Sequence, residues 1–512
     1  MKRYKTLGIL VGVLVVICIA TLFVSRYEQK QEKIKNSDEV ILQIPSDTVT
    51  ALSWEYAEGS GLAFHKGEDG WLYDEDEAFP VSEDKVMDIF SHFEAFGVRF
   101  VIENVEDYSQ YGLDKPGCTL HISTEEETYT LKLGDFSKMD EQRYVDIGDG
   151  NVYLVGEDPM DYVDASLSSM IENDDITGFE TVVDIRFEGA ETYTINRIED
   201  SNYSYSDADV YFVQRGGKFL PLDKAAVTKY LNTMISLDLA DYVTYNATEE
   251  ELATFGLDDP ELSVTVNYTY TDKDSGDDTQ IADVCVIHIS RNPEELKKAQ
   301  EAEEKGEKAE SVSKYVRVGD SQIVYKLDDV DYGILSGASY DDLRHKEVFW
   351  ADFDDVYQID ITLEDTRHTL ISQKNEDDET VWRFQEAEVT DETGVETADV
   401  TEETEVSGET EASEETEAAE EAGEKTLDLT DFKDALNALS ADSFTSEKPT
   451  GKEEIRLTLY LDNESFPKVE IVLYRYDGTS CLAVIDGESV SLVPRSSVME
   501  LVEAVQTFVL NG

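Results

Sequence analysis

The sequence predicts an α+β fold: an N-terminal transmembrane helix, then three related repeats of short antiparallel strands and hairpins with about two helices each. Three observations carry this expectation. Thr6–Val24 is a run of 19 residues without a charge. An aromatic-Gly-Leu-Asp-x-Pro turn occurs twice and a degenerate form once. Alternating apolar and polar segments broken by Gly and Asp follow each turn in the same order. Alternation of period two is the signature of a half-buried strand.

The first 24 residues read as a signal anchor. Lys2, Arg3 and Lys5 form a short head at 1–5, ahead of the apolar run at 6–24. A run of that length spans the hydrocarbon core of a bilayer as a helix. Phe23-Val24-Ser25 is a poor cleavage site, and Cys18 follows Val16-Ile17 rather than the small residue that lipidation wants. Gly8 and Gly12 form a Gly-x-x-x-Gly pair, with lipid-facing glycine the bland alternative. Residues 25–43 form a juxtamembrane segment. The expected location is therefore the cell membrane, single-pass, with the large C-terminal region outside.

The units are expected at 44–175, 178–350 and 351–512. Each opens on a strand: Val49–Trp54, Val182–Phe187 and Val356–Leu363. A helix follows. Ser82 is a plausible cap for a stripe of Val86, Ile89, Phe90, Phe93 and Phe96 ended by Gly97. Asp223 caps the second helix, and Thr430 or Asp431 precedes the third. Next comes the turn, with Gly112, Asp114 and Pro116 in the first copy and Gly256, Asp258 and Pro260 in the second. The third copy, Phe444–Pro449, keeps only Glu447 and Pro449 of these. Glycine tolerates positive φ, and proline fixes φ before the next strand. Hairpins close each unit at 144–154, 315–325 and 482–492, and the chain ends on a helix at Ser497–Val509.

Two insertions interrupt the pattern. Pro293–Glu310 is rich in Lys and Glu and is expected to be a solvated helix or mobile. The segment 386–425 holds 17 acids and one Lys, with Val as its largest apolar residue, and is expected to be disordered.

The net charge of −72, from 114 acidic and 42 basic residues, excludes a nucleic-acid binder that works by neutralising phosphate. Residues 1–35 carry seven basic residues against two acidic ones, so the charge lies on the large C-terminal body. Catalytic motifs are missing: there is no G-x-S-x-G, H-E-x-x-H or Walker A sequence. Cys118, Cys285 and Cys481 lie far apart, without the spacing of a disulfide framework or a zinc site. His121 and His288 sit in strand-like runs and read as ordinary strand residues. Trp54, Trp71, Trp350 and Trp382 would suit a sugar-stacking platform, with core packing the simpler reading. A degenerate Ca²⁺ loop is discernible in Asp272, Asp274, Asp277 and Asp283, although Gly276 falls one place early and the bidentate Glu is missing. A flexible polar loop is the simpler reading there too. No cofactor is expected.

The anchor, the repeated aromatic-Gly-Leu-Asp-x-Pro turn and the downstream Tyr-Val-x-(Ile/Val)-Gly-Asp hairpin together resemble a bacterial family, domain of unknown function 4340. The resemblance implies a membrane-anchored extracytoplasmic protein, encoded beside ABC-transporter subunits, without assigned catalytic residues. It implies an accessory or scaffold role rather than an enzyme, with transporter subunits as protein partners. A binding module for envelope polymers, cationic peptides or Ca²⁺ is the second reading, and an unrecognised hydrolase the third.

Overall fold

A computed structural model describes residues 39–272, 279–375, 378–385 and 426–511, the backbone of Lys33–Asn36, and positions 17, 19 and 21. The expected span at 6–24, apart from Ile17, Ile19 and Thr21, and the acidic insertion 386–425 lie outside the described residues. Among the described residues no helix is long and apolar enough to cross a membrane.

The chain is α+β, with three antiparallel sheets among the described residues. Its strands run in chain order as β1 (Lys33–Asn36), β2 (Val40–Gln43), β3 (Val49–Tyr56), β4 (Gly61–Lys66), β5 (Trp71–Tyr73), β6 (Ala95–Glu103), β7 (Cys118–Thr124), β8 (Thr128–Ser137), β9 (Gln142–Asp146) and β10 (Val152–Val155). The next are β11 (Thr181–Glu188), β12 (Thr192–Arg197), β13 (Tyr211–Arg215), β14 (Lys218–Pro221), β15 (Tyr242–Thr244), β16 (Leu262–Asp272), β17 (Thr279–Arg291), β18 (Lys314–Val318) and β19 (Val324–Leu327). The last are β20 (Val356–Leu363), β21 (Thr366–Lys374), β22 (Thr380–Phe384), β23 (Ser443–Phe444), β24 (Glu453–Leu461), β25 (Lys468–Arg475), β26 (Ser480–Ile485) and β27 (Glu488–Pro494).

These elements divide into two compact units. The first contains residues 1–175, 238–258 and 315–326. Its main sheet runs β6-β10-β9-β8-β7-β3-β4-β5, with β1 and β2 both paired to β6. The strands β18, β19 and β15 lie side by side in that order. The Glu83–Glu94 helix buries Val86, Ile89, Phe90 and Phe93, the expected stripe. Its C-terminus differs from expectation. The helix stops at Glu94, because Ala95 begins β6, where Phe96 pairs with Leu42 and Gly97 with Val40. Gly97 is therefore a strand residue and not a helix cap.

The second unit contains residues 176–237, 259–314 and 327–512. One run of strands in it has the order β14-β13-β12-β11-β16-β17, and another sheet the order β22-β21-β20-β24-β25-β26-β27-β23. That last order repeats β5-β4-β3-β7-β8-β9-β10-β6 of the first unit, position for position. In both, the opening strand sits inside the sheet between its own hairpin partner and the strand that follows the Pro turn. β24 alternates strictly between half-buried and buried residues, with Ile455, Leu457, Leu459 and Leu461 inward. This inner face packs with Phe432 and Leu436 of the Thr430–Asn437 helix and with Leu501, Val505 and Phe508 of the Arg495–Asn511 helix. Elsewhere in this unit Asp223 caps its helix by accepting from Ala225 N. The insertion 293–310 supplies a helix, Pro293–Glu304, capped by Asn292 and with no buried residue.

The turn motif is local geometry. Gly112 (φ +70°) ends the Tyr108–Tyr111 turn, and Gly256 (φ +75°) ends the Glu249–Phe255 helix. Leu113 N donates to Tyr108 O, and Leu257 N to Leu252 O, so both turns close alike. The third copy has no left-handed residue between 444 and 449, and Glu447 there accepts from the Tyr476 hydroxyl at 2.8 Å.

Two predictions follow from this geometry. Alanine at either glycine should cost about 1 kcal/mol for the positive φ. At Gly112 the new Cβ would also stand 2.9 Å from Asp135 N, so Gly112→Ala should cost more than the positive φ alone; denaturant midpoints measure it. The second concerns Asp360, which is 6% exposed. Burial pushes its carboxyl up, but hydrogen bonds from Thr369, Arg367 and Tyr460 outweigh this and hold it below the usual carboxylate range. Its contribution to stability is therefore present above the unfolded value, about pH 4, and fades as pH falls through the lower folded value. Stability measured from pH 6 to 2 should fall less steeply in Asp360→Asn.

Candidate functional site

The second unit contains a cavity of about 580 Å³, within the range of ligand pockets. Several segments build it. The β12–β13 loop supplies Asn202, Tyr203, Ser204 and Tyr205. The Gly216-Gly217 turn, with φ of +57° and +82°, delivers β14. Such paired positive φ values make the tight hairpin turn that matches strand twist. The segment from Tyr340 to Trp350 forms another wall, with Arg344, His345, Lys346 and Glu347. Phe444, Phe466, Ile485, Asp486, Glu488, Val490 and Ser491 complete the lining. Lys218 and Glu488 meet at 3.4 Å, an exposed pair between β14 and β27.

One carboxylate organises the wall. Asp209 is 4% exposed. Its Oδ2 accepts from Ser204 Oγ at 2.5 Å and from Trp350 Nε1 at 3.0 Å. His345 Nε2 lies 2.9 Å from Oδ1. A carboxylate only accepts, so Nε2 carries the proton. The His345 ring stacks on Trp350 with centroids 4.5 Å apart and planes 6° from parallel. Three donors from two distant segments thus converge on one buried acid, which satisfies a charge that burial would otherwise penalise.

Serine, aspartate and histidine together invite comparison with a catalytic triad, and the connectivity decides against it. In a triad the histidine stands between serine and acid, so that it can take the serine proton. Here the acid stands between the other two, and the Ser204 proton points at Asp209. The set is a structural hub that ties the 202–209 loop to the 345–350 segment.

The cavity's own surface is aromatic and electrically mixed. Tyr203 stacks on Phe219 at 4.5 Å, and Tyr205 lies tilted against Trp350 at 4.4 Å. The Arg344 guanidinium lies over the Phe444 ring at 4.1 Å and the Tyr340 ring at 4.9 Å. Three acids (Glu347, Asp486, Glu488) face three bases (Lys218, Arg344, Lys346) in the lining. For a chain with 114 acids and 42 bases that is a local enrichment in positive charge. The Tyr205 hydroxyl is buried without a fully formed hydrogen bond, with the Trp350 backbone N–H beside it. Burial and the nearby Asp209 push this phenol well above its ordinary value.

The residues singled out from sequence lie elsewhere. Gly112, Asp114, Pro116, Gly256, Asp258 and Pro260 belong to turns, and Glu447 and Pro449 to the exposed stretch after β23. Of the four Ca²⁺ candidates, Asp274 and Asp277 and the side chain of Asp272 lie outside the described residues. Asp283 stands opposite Tyr268 on the ladder, four positions from Asp272, and accepts from the Tyr268 hydroxyl at 3.0 Å. His121 faces Thr130 Oγ1 at 3.0 Å and His288 faces Ser263 Oγ at 2.8 Å, each across a strand pair. Trp54, Trp71 and Trp382 are buried, and Trp350 alone of the four lines the cavity. Cys118 and Cys481 are buried, and burial holds their thiols at about 11, protonated at neutral pH. Cys285 is likewise pushed up to about 11 by burial and Asp283. Asp209 and Arg344 carried no sequence signal, because they lie more than a hundred residues apart, and Phe444 was read only as the opening of the degenerate third turn.

Removing the hub acid should be costly. Asp209→Ala strands three donors and should lower stability by about 3 kcal/mol, whereas Asp209→Asn keeps one acceptor and should lose less. Chemical denaturation followed by tryptophan fluorescence measures both.

No curated protein and no solved structure matches the chain. The family described as "Domain of unknown function (DUF4340)" matches residues 71–209 and 216–458. These segments include most of both units, the Asp209 hub and much of the cavity wall. The chain belongs to the DUF4340 family.

Proposed function

We propose that the chain is a membrane-anchored extracytoplasmic accessory protein that holds a protein partner, a subunit of an ABC-type export system, in the cavity of its second unit. The observation that carries this reading is the cavity: an aromatic-walled site of about 580 Å³ whose one buried acid is spent on structure. Aromatic and arginine side chains are the residue types that dominate binding energy at protein interfaces. The apolar run at 6–24 supports the anchor, and the family resemblance supports the transporter as neighbour. The shared strand order of the first and third sheets supports reading the body as three repeats, which supply area for contacts. The second reading, capture of cationic peptides by the acidic surface, has less support here, because three bases balance three acids in this lining.

Site-specific photocrosslinking in intact membranes tests the proposal. A photoreactive residue at Phe466, inside the cavity, should capture a permease subunit of an ABC transporter. The same group at Met139, 90% exposed in the first unit, should not. Equal labelling from both positions, or no transporter subunit from Phe466, overturns it.

A further inference from the structure

β14 is an edge strand, and its free edge lines the cavity. The register says which backbone groups face out. Arg215 and Lys218 flank the two-residue turn and form the closing hydrogen-bonded pair. The next pair, Gln214 with Phe219, is then non-hydrogen-bonded, so the Phe219 N–H and C=O point away from β13. The bond from Leu222 N to Tyr211 O, 2.9 Å, keeps the same parity. Among the described residues no backbone or side-chain partner meets the Phe219 N–H. Pro221 occupies the following outward position, where a proline costs the ladder nothing and ends the exposed edge.

We infer that this edge accepts an extended peptide from the partner by strand addition, with a carboxylate of that peptide held by Arg344. The occupant follows from what faces the edge. An unpaired strand edge is a template for another strand. Arg344 offers five donors on a guanidinium already fixed against two rings. Among the described residues its acceptor is Asp341 at 3.4 Å, a long contact that leaves the fork able to take a carboxylate. Lys346 is exposed beside it. The Tyr205 hydroxyl, buried and lacking a well-formed bond, adds a polar group at the cavity wall. A short segment suffices, because Pro221 limits the ladder to the β14 turn end.

The inference rests on the reading of this cavity as the partner's site, and its test is independent of the partner's identity. The probe is an N-acetylated, fluorophore-labelled hexapeptide of alternating Thr and Val ending in Glu, titrated onto the detergent-solubilised full chain by fluorescence anisotropy. Backbone N-methylation is stepped along the probe. Loss of about tenfold in affinity at alternate positions, with little change at those between, is the expected result. Replacing the probe's Glu by Gln should weaken binding by about tenfold, and Arg344→Gln should do the same without further loss when the two are combined. Melting of Arg344→Gln at the parent temperature shows that the variant is folded. Absence of binding at millimolar probe, equal loss at every methylated position, or indifference to Arg344→Gln overturns strand addition. Binding as expected without transporter crosslinks overturns the choice of partner and leaves strand addition standing.

Discussion

A strand hides only every second side chain, and in this protein that constraint governs the rest. β24 shows it most plainly: Ile455, Leu457, Leu459 and Leu461 face inward while the residues between them stay half-exposed. A slip of one residue would put all four outside. Register is thus determined by burial, and burial requires a cover. The Thr430–Asn437 and Arg495–Asn511 helices provide that cover for the β20–β27 sheet. The same demand explains why each opening strand sits inside its sheet, where both of its edges are paired. The left-handed glycines at 112 and 256 serve this arrangement, because the chain must reverse sharply to bring the following strand beside the opening one.

The cavity is built on this frame by elements the frame leaves over. β14 hangs on β13 by a two-glycine turn and, among the described residues, pairs with no strand on its other edge. The Tyr340–Trp350 segment joins one sheet's strands to the next and has no ladder of its own. Backbone bonds tie it to the 439–441 stretch, from Val348 N to Leu439 O and from Ala441 N to Lys346 O, and Asp209 adds three side-chain donors. Burying that carboxylate has a cost in desolvation that only full satisfaction offsets. It also frees the surrounding aromatic and basic groups to face the cavity. Structure and recognition are thereby divided between different residues: Asp209, Ser204 and His345 hold the wall, while Arg344, Tyr205 and the Phe219 backbone present it.

The local grammar is legible in the residues alone. Alternation located the opening strands at 49, 182 and 356 to within a residue, because period two is imposed by the strand itself. The turn glycines and the Asp223 cap were legible for the same reason, since each answers a demand of its immediate neighbours. The first helix's end was misplaced at Gly97, because a pairing with β2, more than fifty residues earlier, claimed Ala95 onward for a strand. The charge of −72 described the surface as a whole and concealed its exception. The site, by contrast, exists only once the sheets have folded. Asp209 and His345 are separated by 136 residues, and Lys218 and Glu488 by 270. No short-range pattern couples positions so distant; the folding of the sheets brings them within hydrogen-bond reach, and there their chemistry acquires a meaning.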